Sequence, residues 1–441
     1  MNRLQSLVVG LAIPLAAACD VESKHRDTHG IDVGDASGAS QPDGGNADAD
    51  AGAPAAPAVR GYVVIDTDYQ STVVSLLSAE GDVASASFIA SGSADPGLSA
   101  PLSGDVVPPT MIVPGPEVVL LDRYPASVLT WVDLSTAKVR AQLSVAQGFA
   151  SNPHDYAPYS ATKAFVPRYE PNLASGKKPF DSGNDVLVID PSVPEIEASI
   201  DLMPALAGEP SGFYPRADRA LFAGGKLRVL CVGYNSDFTK NIDSRIVTID
   251  PDSESITDVL VFKGMKGCGT LALSPDGARL AVACEGSFGE DPSTGFPDAG
   301  VLVLDVAEKL AETNRFTSVD LGVRAQVGTV EWTGPTTLLF STLGRFDSDQ
   351  KTPLAEDTVR FLDTDSGEVA SAVLLQSKTT PFSLGDIRCS VRQGLCLVSD
   401  AETNGGVLQR FTIGANGAVS LKDQVKVDTG LGLPPHNIGE F

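Results

Sequence analysis

Of the four histidines in this 441-residue chain, two stand in matching surroundings, Asn152-Pro153-His154-Asp155 and Pro434-Pro435-His436-Asn437. An imidazole beside a carboxylate is well suited to moving a proton near neutral pH, and two imidazoles brought together could share a metal. His154, Asp155 and His436 are therefore the candidate catalytic residues. The plainer reading is that the Pro-His phrase only opens a strand. Four long polar stretches, 169–185, 234–244, 285–300 and 344–358, supply a second set. At or near strand ends stand Arg123 and Tyr124, Arg168 and Tyr169, Tyr234, Phe288, and Arg345 and Phe346. Arginine and aromatic side chains are favoured contact residues, so these are the candidate binding residues; covering a rim is the alternative. Asp181, Asn184, Asp185, Asp291 and Asp298 offer hard oxygen ligands for a possible Ca²⁺. None falls in the EF-hand spacing, and solvated turn residues are the default. No nucleophile elbow, zinc-helix motif, P-loop or dinucleotide fingerprint occurs in a fitting context.

The frame for these residues is a repeat. LTWVDLSTAKV, VLVIDPSVPEI, IVTIDPDSESI, VLVLDVAEKL and VRFLDTDSGEV place an aspartate at 133, 190, 250, 305 and 363, with gaps of 57, 60, 55 and 58. Weaker copies put Ser78 and Thr412 in the same slot. Seven slots at one period mean one supersecondary unit built seven times. Each period holds four short β-like runs between turn residues, with no helical period of useful length. The fold expected is all-β, a seven-bladed β-propeller of four-stranded antiparallel blades. The first unit shows only three strands, so the C-terminal run 432–441 is expected to join the N-terminal blade and close the ring. Each repeat aspartate ends a third strand, where an Asx turn is its expected role. The long loops all join second to third strands and so collect on one face with the candidate residues.

The third-strand phrase and the turn Ser274-Pro275-Asp276-Gly277 resemble those of the YVTN-type propellers, over roughly 60–441. Ser-Pro-Asp-Gly occurs once and the phrase glycine only as Gly367; the WD40 signature is absent. The resemblance implies fold and leaves function open. Some such propellers resemble lactonases and others quinoprotein dehydrogenases. The latter repeat Trp-containing motifs, whereas this chain has only Trp131 and Trp332.

Cysteines and chain ends point to an address. Pairing Leu273 with Arg279 across the Ser-Pro-Asp-Gly turn sets Cys268 opposite Cys284. A turn at Arg392-Gln393 sets Cys389 opposite Cys396, and facing positions lie within disulfide reach. Cys231, in an apolar strand, is expected to be buried and inert. Residues 1–18 read as an export signal: Arg3, an apolar run from Leu7 to Leu15, then three alanines before Cys19. That ending resembles the lipobox of bacterial lipoproteins, whose cysteine is lipidated, although Leu15 falls one place early. Residues 19–59 are rich in Asp, Gly, Ala, Ser and Pro, the composition of an unstructured tether, before a propeller at 60–441. Net charge is −24, so nucleic acid is not an expected partner. The expectation is a lipoprotein of the bacterial cell envelope, held at the outer membrane by an N-terminal lipid, or alternatively a secreted soluble protein. Its work would be binding a protein, peptide or saccharide on the long-loop face. A lactone or ester hydrolase at the channel mouth and a purely structural scaffold are the alternatives. For the anchor, intact-mass measurement of membrane-extracted protein should find Cys19 acylated at the mature N-terminus; an unmodified Cys19 would rule that out.

Overall fold

A computed structural model describes residues 59–93, 97–287, 294–307, 309–347, 351–369, 372–428 and 430–441. The leader, Cys19, nearly all of the tether, Phe288 and Asp291 lie outside the described residues. Seven four-stranded antiparallel sheets form the ring. Blade I contains Gly61–Thr67, Thr72–Ser78 and Val83–Ala90. Blades II to VII begin at the innermost strands Val106–Val107, Ala157–Ser160, Ala217–Ala223, Cys268–Leu273, Val327–Trp332 and Leu384–Ser390. The innermost strand of blade I is the C-terminal Pro435–Glu440, as expected for closure. Tyr62 faces Glu440, and Val64 faces Ile438. The amides of Arg60 and Gly61 both donate to the Phe441 carbonyl.

Strand patterning explains why blades pack into a ring. In Gly300–Asp305 of blade V, Val301, Leu302, Val303 and Leu304 are all fully buried. Successive side chains point to opposite faces, so Val301 and Val303 join a core shared with blade VI, and Leu302 and Leu304 one shared with blade IV. Among the described residues seven such apolar clusters each join two neighbouring blades, the last of them joining VII to I. Outer strands instead alternate, as in Glu195–Asp201, because one side meets water.

The repeat aspartates end their strands as Asx turns. Asp133 accepts from the amides of Ser135 and Thr136, Asp250 from Asp252 and Ser253, and Asp363 from Asp365 and Ser366. Asp190 and Asp305 accept from Ser192 and Ala307. The Ser135 hydroxyl first, and then the backbone amides, hold the Asp133 carboxyl below its ordinary range.

Both expected disulfides are formed, Cys268–Cys284 and Cys389–Cys396, and Cys231 is free and buried. The route to the first differs from the expected one. Leu273 pairs with Leu280 rather than Arg279, and a register shift between Cys268 and Thr270 brings Cys268 back opposite Cys284. Among the described residues no helix is long and apolar enough to cross a membrane. The clasp in blade I buries Ile438 and Phe441. Ending the chain after Pro434 should therefore cost on the order of 5 kcal/mol, from two large side chains and a strand ladder. Urea unfolding checks this, and an unchanged midpoint would contradict it.

Candidate functional site

The innermost strands of blades IV to VII share an irregularity. Each slips register near its start, between Ala217 and Arg219, Cys268 and Thr270, Val327 and Val330, and Leu384 and Ile387. An extra residue in a strand bends it and re-aims the side chains beside it. Here the re-aimed residues include Asp218, Thr270, Thr329 and Asp386, and all line an axial cavity of about 370 Å³. Gly385 permits close approach at one of these points. A Cβ there would lie 2.5 Å from the Ser399 hydroxyl and 2.7 Å from the His436 carbonyl oxygen.

His154 and His436 both line this cavity, with Arg123, Arg219, Glu285, Glu331 and Arg388. The carboxylate that meets His154 is Asp218, on the next blade, with Nδ1 2.9 Å from Oδ1. Arg219 lies 3.2 Å from the same oxygen and also donates to the His154 carbonyl. Burial outweighs Asp218 and lowers the His154 pKa, so the ring is neutral near pH 7. Burial alone would raise Asp218, but His154 and Arg219 together hold it below its ordinary range. A neutral ring bonded to an ionised carboxylate carries its proton on Nδ1, and Nε2 is left as the basic nitrogen. The ring is also fixed from behind. Tyr169 stacks on it at 4.2 Å, Phe238 stacks on Tyr169 at 6.2 Å, and the Arg216 guanidinium lies 4.1 Å from the Phe238 ring.

The neighbour in sequence, Asp155, does other work. It is buried and accepts from the amides of Thr110, Tyr156 and Ala220, pinning blades II, III and IV together. His436 instead faces Tyr69, with ring centroids 5.1 Å apart.

Two cavity carboxyls are displaced toward neutrality. Glu285 is exposed to the cavity, and the protein crowded about it, followed by the charge of Asp218, pushes it up to about 7. Burial pushes Glu331 up to about 8 against the pull of Arg388, 3.0 Å away. Burial also raises Asp386 and Glu440. The Arg388 charge is held more firmly than usual, because Glu331, Asp386 and Glu440 outweigh its own burial.

The expected ring of contact residues divides among several settings. Arg123 reaches the cavity while bonded to Asp105, Nε 2.9 Å from Oδ1. Tyr169 supports His154, and Tyr234 lies beside Phe238. Tyr124 is 58% exposed and outside the cavity. Arg168 is fully buried, donating through Nε to Asp185 at 2.7 Å and to the carbonyls of Val145 and Phe180. Arg345 lines a second cavity, and Phe346 packs near Phe382.

Two of the calcium candidates, Asp181 and Asp185, are engaged elsewhere. Asp181 accepts from the amides of Gly176, Lys177 and Lys178, and Asp185 pairs with Arg168. Asn184 takes a positive φ of 54° beside them. Asp298 accepts from the Ser287 hydroxyl and lies 3.8 Å from Lys266. Among the described residues no three His, Cys, Asp or Glu side chains are grouped to hold a metal ion.

Sequence reasoning passed over Asp218, Arg219, Glu285, Glu331, Asp386 and Arg388. A faint signal existed: charged residues in the innermost strands RADRALFA, VGTVEW and LGDIRCS, where apolar alternation would be expected.

No protein-family model matches the chain, and no curated protein matches it. The fold is shared with a solved structure. A protein from Bacteroides fragilis, assigned provisionally as a 6-phosphogluconolactonase, matches with a TM-score of 0.53 at 13% identity, covering 86% of this chain and 97% of that one. A functionally unknown protein from Desulfotomaculum acetoxidans matches with a TM-score of 0.48 at 13% identity, over 86% and 98% of the two chains. Likeness at that identity concerns architecture alone.

The raised carboxyls make a pH prediction. The folded protein keeps protons on Glu285 and Glu331 that the unfolded chain releases above the ordinary value of 4.5. Their stabilising contribution is complete below that value and is lost as pH rises through about 7 and about 8. Glu285→Gln should flatten the fall in urea midpoint between about pH 5 and about pH 8. An equally steep fall in the variant would refute the assignment.

Proposed function

We propose that this propeller binds a small polar molecule in its axial cavity, entered from the long-loop face. The observation that carries this reading is the chemistry of the wall. Where side chains could have plugged the axis with apolar groups, the cavity is left open among paired and partly paired charges. Its size falls within the range of small-molecule sites, and fixed polar groups supply orientation and selectivity. Sugar-like or hydroxy-acid ligands suit a wall that mixes arginines, carboxyls and imidazoles.

A second reading is favoured by the state of two groups. Burial lowers the His154 pKa and Asp218 holds its ring in place, while the Glu285 carboxyl is pushed up to about 7. Pairs of titratable groups pushed to such values are the equipment of general acid–base catalysis. In a lactone or ester hydrolase here, His154 Nε2 would take a proton from water attacking the carbonyl carbon. Arg219 or Arg123 would stabilise the developing oxyanion, and Glu285 would protonate the leaving alkoxide. The provisionally assigned fold neighbour is a lactonase by name, which adds an analogy of architecture.

We also propose that the molecule works outside the cytoplasm, tethered through Cys19. The two disulfides support an oxidising compartment, since such bonds seldom persist in a reducing cytosol.

Mass spectrometry of molecules released from the purified protein, with thermal-shift screening of sugars, hydroxy acids and lactones, should identify a ligand. Asp218→Asn should weaken it about tenfold or more, the cost of a charge-assisted hydrogen bond. No ligand from either approach, or one held equally by the variant, would sink the axial reading. For hydrolysis, His154→Gln should lower kcat/KM by about 10²-fold to 10⁴-fold on any lactone or ester found to react. Turnover unaffected by that change leaves binding alone.

A further inference from the structure

A second cavity, of about 300 Å³, opens between blades V and VI on the same face. Three arginines line it: Arg324, from the connection into blade VI; Arg345, in the short strand Arg345–Phe346; and Arg360, in the blade VI strand Thr358–Asp363. Phe296 and Val323 supply apolar wall, and among the described residues the only carboxylate in its lining is the exposed Glu356.

This grouping runs against the rest of the molecule. The chain carries 56 acidic residues against 32 basic ones. Ten described arginines form ion pairs with carboxylates: Arg123, Arg140, Arg168, Arg216, Arg219, Arg245, Arg279, Arg315, Arg388 and Arg410. Arg324, Arg345 and Arg360 form none among the described residues; Arg60, Arg228 and Arg392 form none either, but only the first three meet in one cavity. Arg360 spends only its Nε, on the Thr358 hydroxyl at 3.2 Å. Arg345 holds its Nε sealed from solvent with no acceptor. A guanidinium donor buried without an acceptor is costly, and several like charges on one small cavity repel. An anion in the cavity relieves the repulsion and gives the Nη groups of Arg345 and Arg360 an acceptor.

We propose that this cavity is a binding site for a small oxyanion, a phosphate or sulfate group or a molecule bearing one. The guanidinium forks of Arg345 and Arg360 match the geometry of such a group, while Arg324, exposed at the rim, adds charge and draws the anion in. The site does not depend on the axial cavity and needs none of its residues, although Leu343 lines both.

Calorimetric titration of the full chain with inorganic phosphate, at ionic strength held constant with chloride, tests the proposal. Saturable binding is expected, weakened about tenfold or more in Arg345→Gln and in Arg360→Gln. Arg140→Gln, on the outer strand of blade II and in neither cavity, should bind phosphate as the unaltered protein does. Sedimentation with phosphatidylglycerol vesicles separates the sources: vesicle binding lost in the same variants identifies a lipid headgroup, and phosphate binding without it a soluble ligand. Thermal melting without phosphate shows whether each variant is folded. No saturable binding of phosphate or sulfate by the unaltered protein overturns the proposal. Binding retained by folded Arg345→Gln and Arg360→Gln, or lost in Arg140→Gln, overturns it as well.

Discussion

The ring closes around one guanidinium. Arg388, in the innermost strand of blade VII, lies 3.0 Å from Glu331 of blade VI and donates to the carbonyl of Ile438 on the closing strand. Asp386, two residues earlier, accepts from the Ile438 amide, and Glu440 stands on the same closing strand. Three carboxyls from three consecutive blades therefore meet where the chain's end returns. Without the cation they would either repel or all be protonated. With it, the last strand is held by charge and backbone together, in the place where nothing covalent joins it to the strand it pairs with.

That arrangement separates two environments. Between blades, seven apolar clusters are dry, and middle strands bury both faces. Along the axis, bulged strands present charges to an open cavity. Apolar burial resides in the first environment and the titratable groups of the axis, the closing cluster around Arg388 included, in the second. Asp155 shows the boundary between them: one carboxylate that accepts from three amide donors in three segments.

The architecture was legible in the chain because it is written in repeated, local terms. An Asx turn needs an aspartate at the strand end, a hairpin disulfide needs facing cysteines, and a missing strand at one end must be supplied from the other. The site was legible only in part. His154 and His436 could be placed at the axis, since the phrase containing each opens an innermost strand. Asp218 could not, because a one-residue bulge changes which side chains face the axis, and alternation alone does not place a bulge. Arg168 illustrates the opposite failure. An arginine at a loop's start resembles a rim contact in sequence, yet this one turns back to Asp185 and two carbonyls, a choice made by tertiary acceptors outside its own segment.

Leu343 stands where the two cavities meet and forms part of the wall of each. Its side chain has only a few staggered positions available. An occupant on one side that favours one of them sets the shape offered on the other. Whatever such an occupant does to affinity across that partition, the occupant beyond it does in return and by the same factor. A single leucine thus forms the partition between the two chambers, and any change in its rotamer would alter both walls at once.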